Sequence, residues 1–218
     1  QWVHQRARQA SRLDDIIVAT DDERIFQAVE AFQGKAVMTS ADHPSGTDRV
    51  AEVADGLDHD LIVNVQADEP LIEPAMIDAA VAACANNADV VMSTLRSPIR
   101  AAADLQDPDV VKVAVDRDGY ALFFSRAPIG LSRAAEDAPG AASVAKHIGL
   151  YVYRRPFLLT VSRLEPTPLE RAEQLEQLRA LEHGYRIMTA VTDHDAIGVD
   201  TPADLERVRR LVAAGAHV

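Results

Sequence analysis

Short apolar runs alternate with amphipathic segments along most of the chain, and this alternation limits the possible folds more than any other feature. The predicted strands occupy residues 16–19, 36–38, 61–65, 90–94, 111–115, 120–124, 146–153 and 187–191. Helix-start signals lie between several of them, at Thr20–Glu23, Pro74, Thr167–Glu170 and Thr201–Asp204. Strands that alternate with helices form a sheet covered on both faces, and Asp118-Gly119 predicts a hairpin. We therefore expect an α/β fold with a mostly parallel mixed sheet flanked by helices and an antiparallel hairpin portion.

Bulk properties exclude some classes of protein. The chain of 218 residues is long enough for one domain with a large core. Its net charge of -12 argues against binding to a phosphate backbone, so we expect no nucleic-acid partner. No apolar run approaches the roughly 20 residues of a membrane span, so we expect no membrane association. The single Cys84 in an alanine-rich segment fits a reducing cytoplasm.

The first residues predict a helix whose packing partner is not among these 218 residues. The chain opens with Gln1, and the positions between Trp2 and Ala10 have helical spacing. A helix at the very start of a domain needs something to pack on. We therefore expect that residues 1–218 form a single domain from which a preceding strand and loop are absent.

One predicted strand ends directly in a polar, acidic segment. Residues 62–65 are followed by Gln66, Asp68 and Glu69, and Pro70 ends the pattern. In open α/β sheets ligands bind outside the carboxyl ends of the strands, and a carboxylate there suits a hard divalent cation that carries phosphates. A solvated loop in which Asp68 caps the next helix is an equally good interpretation of these residues alone.

Asp200 is a second candidate carboxylate. It precedes a helix for which Thr201 already supplies the cap, so capping does not explain it. A lone carboxylate of this kind is more often simply solvated. Together Asp68 and Asp200 could hold Mg²⁺, which prefers one or two carboxylates with substrate phosphates, although their spacing does not show that they meet.

The segment Ser45-Gly46-Thr47 offers a further candidate binding loop. Glycine permits close approach of the backbone to a ligand, and the two hydroxyls lie at the start of a predicted helix. Arg49, one turn into that helix, could bind a carboxylate through two hydrogen bonds. The alternative is a turn in which Thr47 caps the helix and Arg49 is an ordinary surface residue.

Two other segments, a predicted strand and a predicted helix, carry polar residues that could face a ligand. Alternation along 146–153 puts His147, Gly149, Tyr151 and Tyr153 on the same side of a strand, which suits a hydroxyl-rich ligand or else an exposed sheet face. A single helix is predicted over 168–182.

That helix has a core stripe formed by Leu169, Ala172, Leu175, Leu178 and Leu181. Glu176 and Gln177 lie beside the stripe, where they could reach a cleft or be solvated.

Several of these segments, taken in order, resemble those of 3-deoxy-manno-octulosonate cytidylyltransferases. The matching stretches are residues 17–21, 45–49, 63–70, 124–127, 147–151, 175–179 and 198–202, which together span nearly the whole chain. Each is weak alone, but seven in the same order are specific. The resemblance implies a nucleotide-diphospho-sugar transferase type of fold and a Mg²⁺-dependent homodimer in the cytoplasm. The implied reaction converts CTP and 3-deoxy-manno-octulosonate (KDO) into CMP-KDO and pyrophosphate for lipopolysaccharide synthesis.

The resemblance also implies roles for individual residues. Asp68 and Asp200 match metal-binding aspartates, and the segment 45–47, with Ser45, Gly46 and Thr47, matches the loop that holds cytidine. The positions that match those around the sugar acid are Arg49, Gln66, His147, Tyr151, Glu176 and Gln177.

The sequence departs from the family pattern in two places. Ala67 stands where glycine is usual, and the amino-terminal strand and its triphosphate-binding loop are absent from these residues. Other interpretations remain open: a cytidylyltransferase for a related sugar acid such as a sialic acid, a nucleotidyltransferase that uses UTP or GTP, or a non-catalytic nucleotide-binding relic.

Overall fold

The computed structural model describes residues 1–130, 144–194, 198–199 and 201–213. The strands are β1 (Ile17–Thr20), β2 (Lys35–Met38), β3 (Leu61–Asn64), β4 (Met92–Ser97), β5 (Lys112–Val115), β6 (Ala121–Ser125), β7 (Val144–Arg154) and β8 (Met188–Val191). The helices are α1 (Trp2–Ala7), α2 (Glu23–Ala31), α3 (Gly46–Asp55), α4 (Pro74–Ala85), α5 (Ala102–Gln106), α6 (Arg155–Val161), α7 (Pro168–Glu173), α8 (Gln177–Glu182) and α9 (Pro202–Ala213). Among these helices, none is both long enough and apolar enough to cross a membrane.

The strand β7 is the centre of the larger sheet. Its eleven residues pair in antiparallel fashion with β4 along one side and with both β5 and β3 along the other. β8 adds to β4 in parallel, and β6 adds to β5. A separate parallel pair is formed by β1 and β2.

The predicted α/β class is confirmed, with the mixed character that was expected. Strands β3, β4, β5 and β8 run in one direction, and β6 and β7 run in the other. The predicted hairpin is β5–β6, and Gly119 in its turn has φ 87°, a conformation that glycine adopts without strain.

Helices cover the two faces of the sheet and create two hydrophobic clusters. One cluster joins α4 to the face that carries Leu150 and Val152. The other joins α3, α6 and α8 to the opposite face, which carries Tyr153. Adjacent arginines at the end of β7 tie helix ends to the sheet. Arg154 donates to carbonyl groups in the last turn of α4 and just after it, and Arg155 donates to those at the end of α3.

Two expectations about helices were wrong. Asp22, not Thr20, caps α2 by accepting a hydrogen bond from the Arg24 amide, because Thr20 is the buried last residue of β1. The single helix predicted over 168–182 is two helices. The chain leaves α7 at Gln174 with φ 55°, and α8 starts at Gln177.

The break also changes the predicted core stripe. Leu175 and Leu178 are buried as predicted, and Leu181 is half-buried, whereas Leu169 and Ala172 are exposed. The capping boxes predicted at Thr167–Glu170 and Thr201–Asp204 are confirmed.

Candidate functional site

A line of rings runs along one face of β7. The ring centroids of His147 and Tyr151 are 5.6 Å apart, and those of Tyr151 and Tyr153 are 6.1 Å apart. The common face predicted from alternation is thus confirmed. It is not an exposed face, because His147 is 7% and Tyr153 3% exposed.

His147 is held as a neutral ring. The hydroxyl of Thr94 donates to the carbonyl of Leu150 at 2.8 Å, so it accepts from Nε2–H of His147 at 2.9 Å. Burial lowers the pKa of His147 to about 3. At neutral pH its Nδ1 is therefore an acceptor rather than part of a cation.

This histidine should affect stability in acid. Its pKa rises from about 3 in the folded chain to about 6.5 on unfolding, so the unfolded state binds one more proton between these values. The stabilising contribution is complete above pH 6.5 and falls as the pH decreases. We expect that His147→Phe reduces the slope of unfolding free energy against pH between 4 and 6, measured by urea denaturation. His183→Phe, at an exposed position, is the control, and an equal slope in wild type and His147→Phe would contradict the assignment.

Thr47, Tyr151, Glu176 and Gln177 line one small pocket of about 20 Å³, although they come from three separated segments. The hydroxyl of Thr47 donates to Oε2 of Glu176 at 2.7 Å, across 129 positions of sequence. Gln177 is 5% exposed, and its Nε2 has no hydrogen-bond partner among the described residues. A buried amide without a partner is costly unless a ligand supplies one. The structure therefore brings a predicted nucleotide-loop residue into contact with predicted sugar-acid residues.

Two further pocket residues escaped sequence reasoning. Tyr153 was grouped with the strand face but given no role, and Arg179 was not singled out. Arg179 forms a buried ion pair with Glu170, with Nη2 to Oε1 at 2.6 Å and Nε to Oε2 at 2.9 Å. Their spacing of nine residues matches no helical repeat, so the sequence held no signal for this pair.

Ser45 and Gly46 of the predicted binding loop, and the nearby Arg49, do not line this pocket. Ser45, rather than Thr47, caps α3 by accepting from the Asp48 amide at 3.2 Å, so the alternative of a Thr47 cap was wrong. Gly46 is the first residue of α3 and has open space around its Cα. Arg49 donates to Thr39, which follows β2, and to Asp21, which follows β1, at 2.8 Å. Its guanidinium therefore lies at the carboxyl ends of β1 and β2, and Arg49 is not among the residues that line the pocket.

Asp68 lies in the loop after β3. Its carboxylate is exposed and has no hydrogen bond or ion pair with the described side chains, and Gln66 is half-buried. Asp68 does not cap the next helix, since Glu73 occupies that position, so the capping interpretation was wrong. The backbone carbonyl of Asp68 accepts from the Val199 amide at 2.9 Å. Asp200 itself lies outside the described residues.

The donor set at this loop is compatible with Mg²⁺. The exposed Asp68 carboxylate, which has no partner among the described side chains, matches an ion that takes one or two carboxylates and completes its shell with phosphates and water. In the described part of the chain, no group of three or more histidine, cysteine or acidic side chains could enclose a metal.

Comparison with known proteins gives a consistent picture. The family model described as cytidylyltransferase matches residues 1–187. A 3-deoxy-manno-octulosonate cytidylyltransferase from Geotalea uraniireducens is 54% identical, with 95% of this chain and 86% of the relative covered. One from Solibacter usitatus is 52% identical, with coverage of 98% and 84%. A solved structure of CMP:2-keto-3-deoxy-manno-octonic acid synthetase complexed with CTP has a TM-score of 0.92 and 42% identity, and covers 99% of this chain and 87% of that one.

Proposed function

The chain belongs to the 3-deoxy-manno-octulosonate cytidylyltransferase family, and we propose that it transfers the cytidylyl group of CTP to KDO. The observation that carries this proposal is the pocket in which Thr47 meets Glu176 beside Tyr151 and Gln177. These residues match the family positions for both substrates. A relative with the same fold and 42% identity was solved with CTP bound.

The reaction is a displacement at phosphorus. The anomeric hydroxyl of KDO loses its proton to water, and its oxygen forms a bond to the α-phosphorus of CTP. The bond from that phosphorus to the bridging oxygen breaks, and pyrophosphate leaves. Binding energy that holds the two substrates in line is the main contribution the protein makes to such a step.

We assign the sugar acid to Gln177 of the pocket together with His147, Gln66 and Arg49, which match family positions but do not line the pocket. Gln177 offers an unused amide hydrogen-bond donor, and His147 offers Nδ1 as an acceptor for a hydroxyl. Asn64, the last residue of β3, pairs with Tyr151. Gln66 follows two residues later and adds an amide beyond the carboxyl end of β3. Arg49 supplies a cation at the ends of β1 and β2.

The metal role follows from the donor chemistry. We assign Asp68, together with Asp200, to Mg²⁺, which when bound neutralises charge on the α-phosphate and the departing pyrophosphate. Cytidine is assigned to Ser45, Gly46 and Thr47. A homodimer that acts in the cytoplasm, in lipopolysaccharide synthesis, completes the proposal by analogy with the family.

The test is direct. The full-length protein with CTP, KDO and MgCl₂ should release pyrophosphate and form CMP-KDO, with little product from UTP or GTP. A preference for a sialic acid would reassign the sugar, and a preference for another nucleotide would reassign the base. CTP binding by calorimetry without pyrophosphate release would identify a binding relic.

Gln177 gives a prediction in which stability and activity change in opposite directions. Gln177→Leu removes a buried donor that lacks a partner, so the free energy of unfolding should rise by about 1 kcal/mol. The same change should raise the KM for KDO roughly tenfold, because the donor that the ligand uses is lost. Thermal unfolding and initial rates measure both. Gln106→Leu, which changes an exposed amide at the end of α5, is the control and should leave the KM unchanged.

A loss of stability in Gln177→Leu together with an unchanged KM for KDO would remove Gln177 from the sugar-acid site. It would show that the amide has a structural partner instead.

A further inference from the structure

The carboxyl end of β6 is fastened to the carboxyl end of α7 through Glu173. Its Oε1 accepts from the Ser125 hydroxyl at 2.9 Å, and its Oε2 accepts from the Arg126 amide at 2.9 Å. The backbone carbonyl of Glu173 also accepts from Nε of Arg126 at 3.1 Å. Ser125, the last residue of β6, and Arg126, which follows it, thus hold one glutamate both by its side chain and by its backbone.

The segment that follows this anchor carries the pocket residues. α7 ends at Glu173, and the chain turns through Gln174 in the left-handed conformation. Glu176, which accepts from Thr47, comes two residues later, and Gln177 begins α8. Left-handed backbone is disfavoured for a residue with a side chain, so this turn needs support from its surroundings.

The same end of β6 also supports the opposite wall of the site. Phe124, next to Ser125, packs its ring edge-to-face on His147 with centroids 4.8 Å apart and an interplanar angle of 74°. One short segment therefore contacts both the ring line of β7 and the turn that leads into α8. The distance between the rings on β7 and the turn before α8 therefore depends on the segment 124–126.

From this arrangement we infer that Glu173 is a positioning residue for the sugar-acid subsite. It acts through the turn at 174–176, by holding Glu176 and Gln177 at a fixed distance from His147 and Tyr151. The inference rests on the proposed cytidylyl transfer and adds to it a residue that does not contact the substrate.

Three variants test the inference. Glu173→Gln can reproduce both side-chain bonds, because its carbonyl accepts from the Arg126 amide and its NH₂ donates to the Ser125 hydroxyl. Glu173→Met keeps the side-chain length but makes neither bond. Glu182→Met is the matched control, since Glu182 accepts from the Leu169 amide at 3.0 Å and also links α7 to α8, but at the end away from the turn.

We expect the KM for KDO to rise roughly tenfold in Glu173→Met, while the KM for CTP changes less than about twofold. Glu173→Gln should stay near the wild-type values, and so should Glu182→Met. If Glu173→Met fails to fold, Ser125→Ala removes one of the two bonds and should give a smaller change in the same direction. Equal KM changes for both substrates, or Gln and Met variants that behave alike, would overturn the inference.

Hydrogen exchange separates this inference from the proposed function. Amides of residues 174–178 should exchange faster in Glu173→Met than in Glu182→Met, whether or not KDO is the substrate. Wild-type protein without activity on CTP and KDO would refute the proposed function alone. Unchanged exchange at 174–178 in active protein would refute the positioning role alone.

Discussion

Asp68→Asn should lower the rate of cytidylyl transfer by roughly a hundredfold or more, because an amide is a weak ligand for Mg²⁺ and leaves substrate charge uncompensated. The free energy of unfolding should stay within about 0.5 kcal/mol of wild type, since the carboxylate is exposed and has no partner among the described side chains. Pyrophosphate release over a range of MgCl₂ concentrations, with urea unfolding alongside, measures both.

Asp58→Asn is the control for this variant. It makes the same change of charge at an exposed aspartate that precedes β3, whereas Asp68 follows β3. We expect Asp58→Asn to retain normal turnover. Near-normal turnover in Asp68→Asn would exclude Asp68 as a metal ligand, and a large loss of stability would show that its role is structural.

Among the variants proposed here, Arg179→Met should give the largest decrease in the free energy of unfolding. It leaves the Glu170 carboxylate buried without its cation, and breaking a buried ion pair in this way typically costs about 3–5 kcal/mol. Arg171→Met, which removes an exposed arginine from the same helix as Glu170, should cost less than about 0.5 kcal/mol. Urea denaturation at pH 7 measures the difference. A similar cost for both variants would mean that the buried pair does not hold α7 against α8.

The contribution of Glu170 to the pH dependence of stability should be opposite in sign in this variant and in the wild type. In the wild type, burial raises the pKa of Glu170, but hydrogen bonds from Arg179 and the Thr167 amide outweigh burial, so the net pKa lies below its usual 4.5. The carboxylate therefore stabilises the wild type above pH 4.5, and this contribution is lost as the pH falls through the folded pKa. Without Arg179 burial is less opposed, and the pKa should rise above 4.5. The cost of Arg179→Met should then be smaller at pH 5 than at pH 7.

Local signals in the sequence predicted the elements well. Capping residues such as Thr167 and Thr201, and the Asp118-Gly119 turn, act within a few residues and so are visible in a single sequence. Gln174 is different, because glutamine is an ordinary helix former and its left-handed conformation is imposed by tertiary contacts. The break between α7 and α8 was therefore not predictable from periodicity.

The sequence proposes the candidate site residues one by one but does not show which of them meet. Alternation gave the shared face of His147 and Tyr151, since it depends only on the period of a strand. The contact of Thr47 with Glu176 depends on how α3 and α8 pack, which no local pattern encodes. For the same reason, the resemblance that assigned Arg49 to the sugar acid did not show that its guanidinium is bound at Asp21 and Thr39.

The position of β7 in the chain has a consequence for biosynthesis. Strands β3 and β4 both precede residue 144, yet each finds its first partner only when β7 (Val144–Arg154) has been made. At translation rates of about 5–20 residues per second, these two strands leave the ribosome several seconds before that partner exists. A nascent chain arrested before β7 should expose unpaired strand edges and bind chaperones, whereas one extended past the end of β8, which also pairs with β4, should not. The fold is then most vulnerable to aggregation during synthesis, before β7 exists, and not after folding is complete.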